Sequence, residues 1–307
     1  MSSFVRTLLV VALLGAGCAT AHGAEELVCP PIARAPNTSE PIPYVDGLLW
    51  RVEREGLTAS YLFGTIHVGD PRVLEVPAAV ESALRSSRLF VMEALFEPDA
   101  VARFAGSMYF ADGTRLEDLA GRPLADRAQS LLLRFDVAAE TARILKPWAA
   151  FLTLNQPPAD GGPPLDLLLM QRARAEGLPV EGLETLEEQA QVFAAFSDAE
   201  QVAMLRDTVC HFDLVQAQLR RLVEFYLRGD VAAIVRLTGH YAGSELELAA
   251  RMARVLIDDR NARMVERLQP ALRRGGAFVA VGALHLPGSG GMLALLEKRG
   301  YALRPVH

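Results

Sequence analysis

The chain has 307 residues, of which 51% are hydrophobic, with 31 Lys and Arg against 37 Asp and Glu and a formal net charge of −6. This is enough for one large domain or two small ones with a sizeable core. The basic residues are spread along the chain without forming a stripe, which argues against a nucleic-acid partner.

The chain opens with Arg6, the short apolar run Thr7–Gly17 and the small residues of "CATAHGA". This reads as an export signal over residues 1–21, with Ala19 and Ala21 in an A-x-A cleavage pattern and a mature chain starting near His22. A periplasmic or secreted location is therefore expected. The alternative is a lipoprotein acylated at Cys18, although Leu14 stands four residues before that cysteine rather than three. No later apolar run reaches membrane-spanning length, so no transmembrane helix is expected in the mature chain. Cys29 and Cys210 remain. Two cysteines in an oxidising compartment are a natural pair, so a Cys29–Cys210 disulfide is predicted, with two free thiols as the alternative. Neither lies in a C-x-x-C or zinc-type spacing.

A proline-rich arm, "CPPIARAPNTSEPIPYVDG", precedes two strands in "LLWRVEREGLTASYLFGTIHVG", joined by a turn at "REGLT". "DPRVLEVPAAVESALRSS" predicts a turn and then a helix with Pro77 in its first turn. "RLFVMEALF" is apolar on both faces, as in a covered parallel sheet. Helical sequence follows over about 112–155, then a Pro/Gly break, then the helix "LLLMQRARAEG" and a short strand and turn in "LPVEGLET". Long helical stretches run from Glu187 to about Gly229 and from Asp230 to Pro270. The strand "GAFVAVGALH", the helix "GMLALLEKRG" and the strand "YALRPV" complete the chain. The alternation predicts an α/β fold: one domain over 22–307, a central mixed sheet flanked by helices, with helical insertions at about 112–155 and 187–270.

Two apolar strands end in Gly-x-x-His: Gly64 to His67, and Gly282 to His285. The carboxyl ends of strands line the ligand crevice of an open α/β sheet. A glycine there admits close approach, and imidazole is both a metal ligand and a general base. The plainer alternative is a pair of hydrogen-bonded packing residues. Glu93 lies on the otherwise apolar face Leu89, Val91, Leu95, so it needs a cation, a metal or a strong donor unless it reaches water at the strand end. "VEGLET" adds Glu181 and Glu184, the latter with helix capping as its bland role. Asp70 before Pro71 fits a turn. Arg260 shares a helical stripe with Leu256, Met264 and Leu268, and should pair with a carboxylate unless it snorkels. Two His, one or two Glu, an Asp and an Arg suit a divalent metal or an acid–base pair. H-E-x-x-H, G-x-S-x-G, P-loop and G-x-G-x-x-G motifs are absent from the sequence.

Taken in order, "YLFGTIHVGDPRV", "RLFVMEA", "LKPWAA", "LPVEGLETLEEQ", "DDRNARM" and "FVAVGALHLPGSGGMLALLEKRGY" resemble the pattern of TraB/GumN proteins over about Leu48 to Tyr301. That family is similar to the Tiki metalloproteases and, more remotely, to erythromycin esterase and haem-binding ChaN-like proteins. The resemblance implies an EreA/ChaN-like α/β core in which the two Gly-x-x-His motifs meet in one pocket. It implies His67, His285 and Glu93 as metal or catalytic residues, with Glu184, Arg260 and Asn261 as pocket or support residues. It further implies a divalent metal (Mn, Co or Zn) and a peptide or protein substrate for a metal-dependent hydrolase. A non-catalytic haem- or peptide-binding protein and a metal-free esterase-like hydrolase are the alternatives.

Overall fold

The computed structural model describes residues 26–33, 40–157, 162–239 and 244–306. The expected export signal, the acylation alternative at Cys18 and its cleavage site lie outside them. Six strands form one sheet: β1 Leu49–Glu53, β2 Ser60–Thr65, β3 Leu89–Ala94, β4 Val180–Glu184, β5 Ala277–Gly282 and β6 Ala302–Pro305. Their order is β4-β3-β5-β2-β1-β6. The β4-β3-β5-β2 half is parallel, and β1 pairs antiparallel with both β2 and β6. The sheet is therefore mixed, as the strand–helix alternation predicts.

Both faces of the sheet are covered, which explains the unbroken apolar runs of its inner strands. Phe63, Phe90, Met92, Phe278 and Ala280 pack on one side against helices Ala78–Arg85 and Leu165–Ala175 and against Val223, Tyr226 and Ile234. Leu62, Leu89, Val91, Val279 and Val281 pack on the other against helices Asp259–Arg274 and Met292–Glu297. A separate helical cluster, built on Leu116, Leu124, Leu132, Trp148, Leu205 and Phe212, gathers the helices inserted between β3 and β4 with those that follow β4.

The helical sequence after β4 is more divided than its composition suggests. The stretch from Glu187 breaks into Leu186–Ala194, Asp198–Cys210 and Phe212–Leu227. The break at 195–197 has a local cause: Ser197 caps the next helix, accepting from the Glu200 N–H, while Glu200 bonds back to the Ser197 N–H. Thr185 and Glu188 make the same reciprocal cap for Leu186–Ala194. The cap of that helix is thus Thr185, not Glu184. Between Leu246–Ala253 and Asp259–Arg274 the helix widens into a π-helical turn, Arg254–Asp258, where the Asp259 N–H reaches the Arg254 carbonyl. Such turns often sit beside functional sites.

Cys29 and Cys210 form a disulfide, fixing the N-terminal arm to the end of helix Asp198–Cys210. His211, the next residue, reaches the Pro30 carbonyl with Nε2 at 3.0 Å. Among the described residues no helix is long and apolar enough to cross a membrane.

Candidate functional site

The two Gly-x-x-His motifs end neighbouring parallel strands. In the β2–β5 ladder Gly64 lies opposite Val281, and Thr65 opposite Gly282. The motifs therefore leave the sheet side by side, and β3 and β4 deliver Glu93 and Glu184 on the far side of β5. All four contributions come from the carboxyl ends of parallel strands, where an α/β sheet builds its sites.

The two glycines do different jobs. A Cβ on Gly64 would meet Leu286 Cδ1 at 2.8 Å and the Ala283 Cα at 3.0 Å, so this glycine admits the turn Ala283–His285 of the second motif. A Cβ on Gly282 would lie 3.2 Å from Glu93 Oε1, 3.5 Å from His285 Cδ2 and 3.7 Å from His67 Nε2. This glycine leaves open a space that two imidazoles and a carboxylate face.

The second histidine is buried. Its Nδ1 stands 2.7 Å from Asn261 Oδ1, and the Asn261 amide nitrogen donates to the Gly290 carbonyl at 3.0 Å. With the amide oriented by Gly290, the asparagine oxygen can only accept, so His285 Nδ1 carries the proton. Burial lowers the His285 pKa to about 4, so the ring is neutral at pH 7. Its Nε2 lone pair then faces Glu93 Oε1 across 3.7 Å.

His67 is held differently. Its Nδ1 is 2.7 Å from Asp166 Oδ2, and Thr65 donates its hydroxyl to Asp166 Oδ1. The carboxylate leaves Nδ1 as the donor and turns Nε2 toward the space at Gly282. The His67 side chain is 57% exposed, so it forms the mouth of the site while His285 forms its wall. The Asp166 charge raises its pKa to about 9.

Glu93 is buried on the face of β3 that packs against helix Asp259–Arg274. Burial opposes its ionisation, but the charges of His285, Arg260 and His67 and the Gly282 N–H outweigh this and hold it at about 2. Because His285 is neutral at pH 7, Arg260 is the main permanent counter-charge. Arg260 Nη2 donates to Glu93 Oε2 at 2.6 Å, Nε to Glu184 Oε2 at 2.9 Å and Nη1 to the Leu256 carbonyl at 3.2 Å. The other oxygen of Glu184 is taken by Arg263, with Nη2 at 2.8 Å and Nε at 3.2 Å. Glu184 is fully inaccessible, with both oxygens on guanidinium groups. The arginine stripe continues with Arg267 on Glu188 and Arg274 on Glu181, fastening this helix to the β4 edge.

The structure thus brings His67, Glu93, Gly282, His285, Glu184, Arg260 and Asn261 together. Asp70 instead caps the short helix Pro71–Leu74, with its oxygens on the Arg72 guanidinium and backbone N–H. The residues that sequence reasoning missed are Asp166, Thr65 and Arg263. Asp166 did leave a signal: with Met170 and Ala173 it shares a buried helical face, a carboxylate on an apolar stripe.

The donor types around Gly282, two imidazole nitrogens and a carboxylate oxygen, are those of a two-histidine, one-carboxylate metal set. Among the described residues, however, no three His, Cys, Asp or Glu side chains are spaced as a ready-made metal site. The fit to an ion lies in donor chemistry and in the space left by the missing Cβ.

The chain is 25% identical to the protein named Metalloprotease TIKI2 from Danio rerio, over 84% of this chain and 60% of that protein. It therefore spans about three-fifths of the length of that relative. No solved structure matches the chain. Residues 48–305, which include every side chain of the site, match the TraB/PrgY/gumN family, and the chain belongs to that family.

Proposed function

We propose that this protein is an exported, divalent-metal-dependent hydrolase that cleaves peptide bonds. The observation that carries the reading is the convergence of His67 Nε2, Glu93 Oε1 and the His285 ring on the space at Gly282. The name of the zebrafish relative supports the peptidase part. The Cys29–Cys210 disulfide supports export, because such bonds persist in oxidising compartments.

In this reading His67, His285 and Glu93 hold a divalent ion, of the Mn, Co or Zn kind. When bound, the ion supplies a Lewis acid that makes water a nucleophile near neutral pH. Asp166 and Asn261 hold the imidazoles by Nδ1 so that both Nε2 atoms point inward, the usual task of residues behind ligating histidines. Glu93 keeps Oε2 on Arg260 and accepts the Gly282 N–H with Oε1, which fixes Oε1 as the oxygen that would face the ion. Arg260 has all three nitrogens engaged, so its part is to fix the two carboxylates rather than to receive an oxyanion. Glu184 and Arg263 hold Arg260 in turn.

The test is metal content of purified protein together with digestion of an unbiased peptide library. Wild type should retain about one ion per chain and cleave, and His67→Ala, His285→Ala and Gly282→Ala should lose both properties. Metal-free wild type whose cleavage equals that of the histidine variants would sink the proposal. One observation favours a second reading: the half-exposed His67 backed by Asp166 is also the form of a general base, one whose free fraction grows as pH rises toward its pKa of about 9. Cleavage that survives chelation but is lost in His67→Ala would select that metal-free hydrolase.

A further inference from the structure

A cavity of about 590 Å³ adjoins the site, within the size range of small-ligand pockets. It lies between helix Phe212–Leu227, the π-helical turn Arg254–Asp258 and the turn that carries His285. Two residues belong to both compartments. Leu256 lines the cavity, and its carbonyl accepts from Arg260. Leu284 lines the cavity, and the next residue is His285. The cavity wall and the site thus share the backbone at Leu256 and at Leu284–His285.

The wall chemistry narrows the occupant. Leu219 and Leu222 on the helix, with Leu256 and Leu284 opposite, are partly exposed and make the lining mainly apolar. The charged side chains on the wall are Asp207, Glu245 and Asp258, and among the described residues no lysine or arginine lines it. Asp207 Oδ2 accepts from the Ser244 N–H, while its buried Oδ1 has no hydrogen-bond partner among the described residues. Among the described residues an apolar anion such as a fatty acid would meet three carboxylates with no lysine or arginine to offset them, the wall's His211 having its Nε2 on the Pro30 carbonyl, whereas a neutral or cationic apolar group would meet no such repulsion.

We propose that this cavity is the specificity pocket for a large apolar side chain of the peptide cleaved at the neighbouring site, in a segment that is neutral or positively charged. The proposal rests on the hydrolase reading and names its substrate class. The bulk of Leu219 and Leu222 sets the side-chain size the pocket accepts.

The experiment uses the full disulfide-bonded protein and the neutral fluorescent dye N-phenyl-1-naphthylamine. The dye should bind wild type and be displaced by acetyl-Phe-Leu-Arg-amide but not by laurate. Leu222→Trp and, separately, Leu219→Trp should weaken both dye and peptide by about 10-fold or more, the scale of hydrophobic-pocket discrimination. Displacement by laurate at least as strong as by the peptide, or by neither, overturns the proposal on wild type alone, whatever the folding of the variants. Peptide-selective displacement without any cleavage upholds the pocket while removing the hydrolase reading, so the two fail separately. In the digest, fragments should carry Phe, Leu, Met or Trp beside the cut, and that preference should fall about 10-fold or more in Leu222→Trp. Cleavage indifferent to apolar side chains would overturn the assignment.

Discussion

Arg260→Met removes the one guanidinium that bonds Glu93, Glu184 and the Leu256 carbonyl, and leaves an apolar stem in its place. Glu184 still has Arg263 on its second oxygen, so the main loss falls on Glu93, which keeps the Gly282 N–H but loses its permanent counter-charge. Removing one partner of a buried ion pair costs about 3–5 kcal/mol, chiefly because the other charge stays buried and unpaired. With Glu184 half-protected, the expected cost lies near the low end, about 3 kcal/mol. Equilibrium urea unfolding at pH 7, followed by far-ultraviolet circular dichroism, reads it directly. The informative partner is Glu93→Gln in the Arg260→Met background. The amide still accepts from Gly282 but carries no charge, so the double variant should regain at least half of the loss, a strongly non-additive pair. If Arg260→Met lies within about 1 kcal/mol of wild type, or if Glu93→Gln adds a further full loss, the buried-charge argument for this cluster is wrong.

Three other outcomes follow from the same structure. In metal-free protein, nuclear magnetic resonance titration should give His67 a pKa near 9, as the Asp166 charge dictates, and Asp166→Asn should bring it back to roughly the ordinary 6.5; an unchanged value would separate the two side chains. The Cys29–Cys210 bridge spans a sequence separation of 181, for which the loop-entropy relation gives about 5 kcal/mol as a ceiling. Replacing both cysteines by serine should cost about 2–5 kcal/mol in urea unfolding, and a loss under about 1 kcal/mol would mean the arm is ordered without it. Glu188 is held at about 2, below its ordinary 4.5, first by its bond to Arg267. A depressed folded-state pKa stabilises fully above pH 4.5 and is lost as pH falls through 2. The stability gap between wild type and Glu188→Gln should therefore be constant above pH 4.5, at about 1 kcal/mol for a partly exposed pair, and close on acidification; a gap that widens in acid would reverse that assignment.

All six strands could be read from the sequence: the inner strands β2, β3 and β5 are short apolar runs, as in a covered sheet, while β1, β4 and β6 are short segments set off by turn residues. Glu93 and Arg260 could be read because each interrupts an apolar stripe, and an ionised group on such a stripe has to be compensated. The helical region after β4 was less legible: the reciprocal caps at Thr185–Glu188 and Ser197–Glu200 are signatures of two residues each, easily lost in continuous helical composition.

The sequence alone determined the elements and their chemistry: two Gly-x-x-His strand ends, a carboxylate on a buried strand and an arginine on a buried helical face, all set by local periodicity. It also named Cys29 and Cys210 as the natural pair, with two free thiols as the alternative, and the structure joins them. Only the tertiary structure decided the pairings. It set β5 between β3 and β2, so that motifs more than two hundred residues apart leave the sheet as neighbours. It made one histidine a buried neutral ring on Asn261 and the other a half-exposed ring on Asp166, although the two motifs share one pattern. It also buried Glu184 and occupied both its oxygens by closing two arginines over it. Burial and electrostatic environment are sums over residues distant in the chain, and no local spacing carries them.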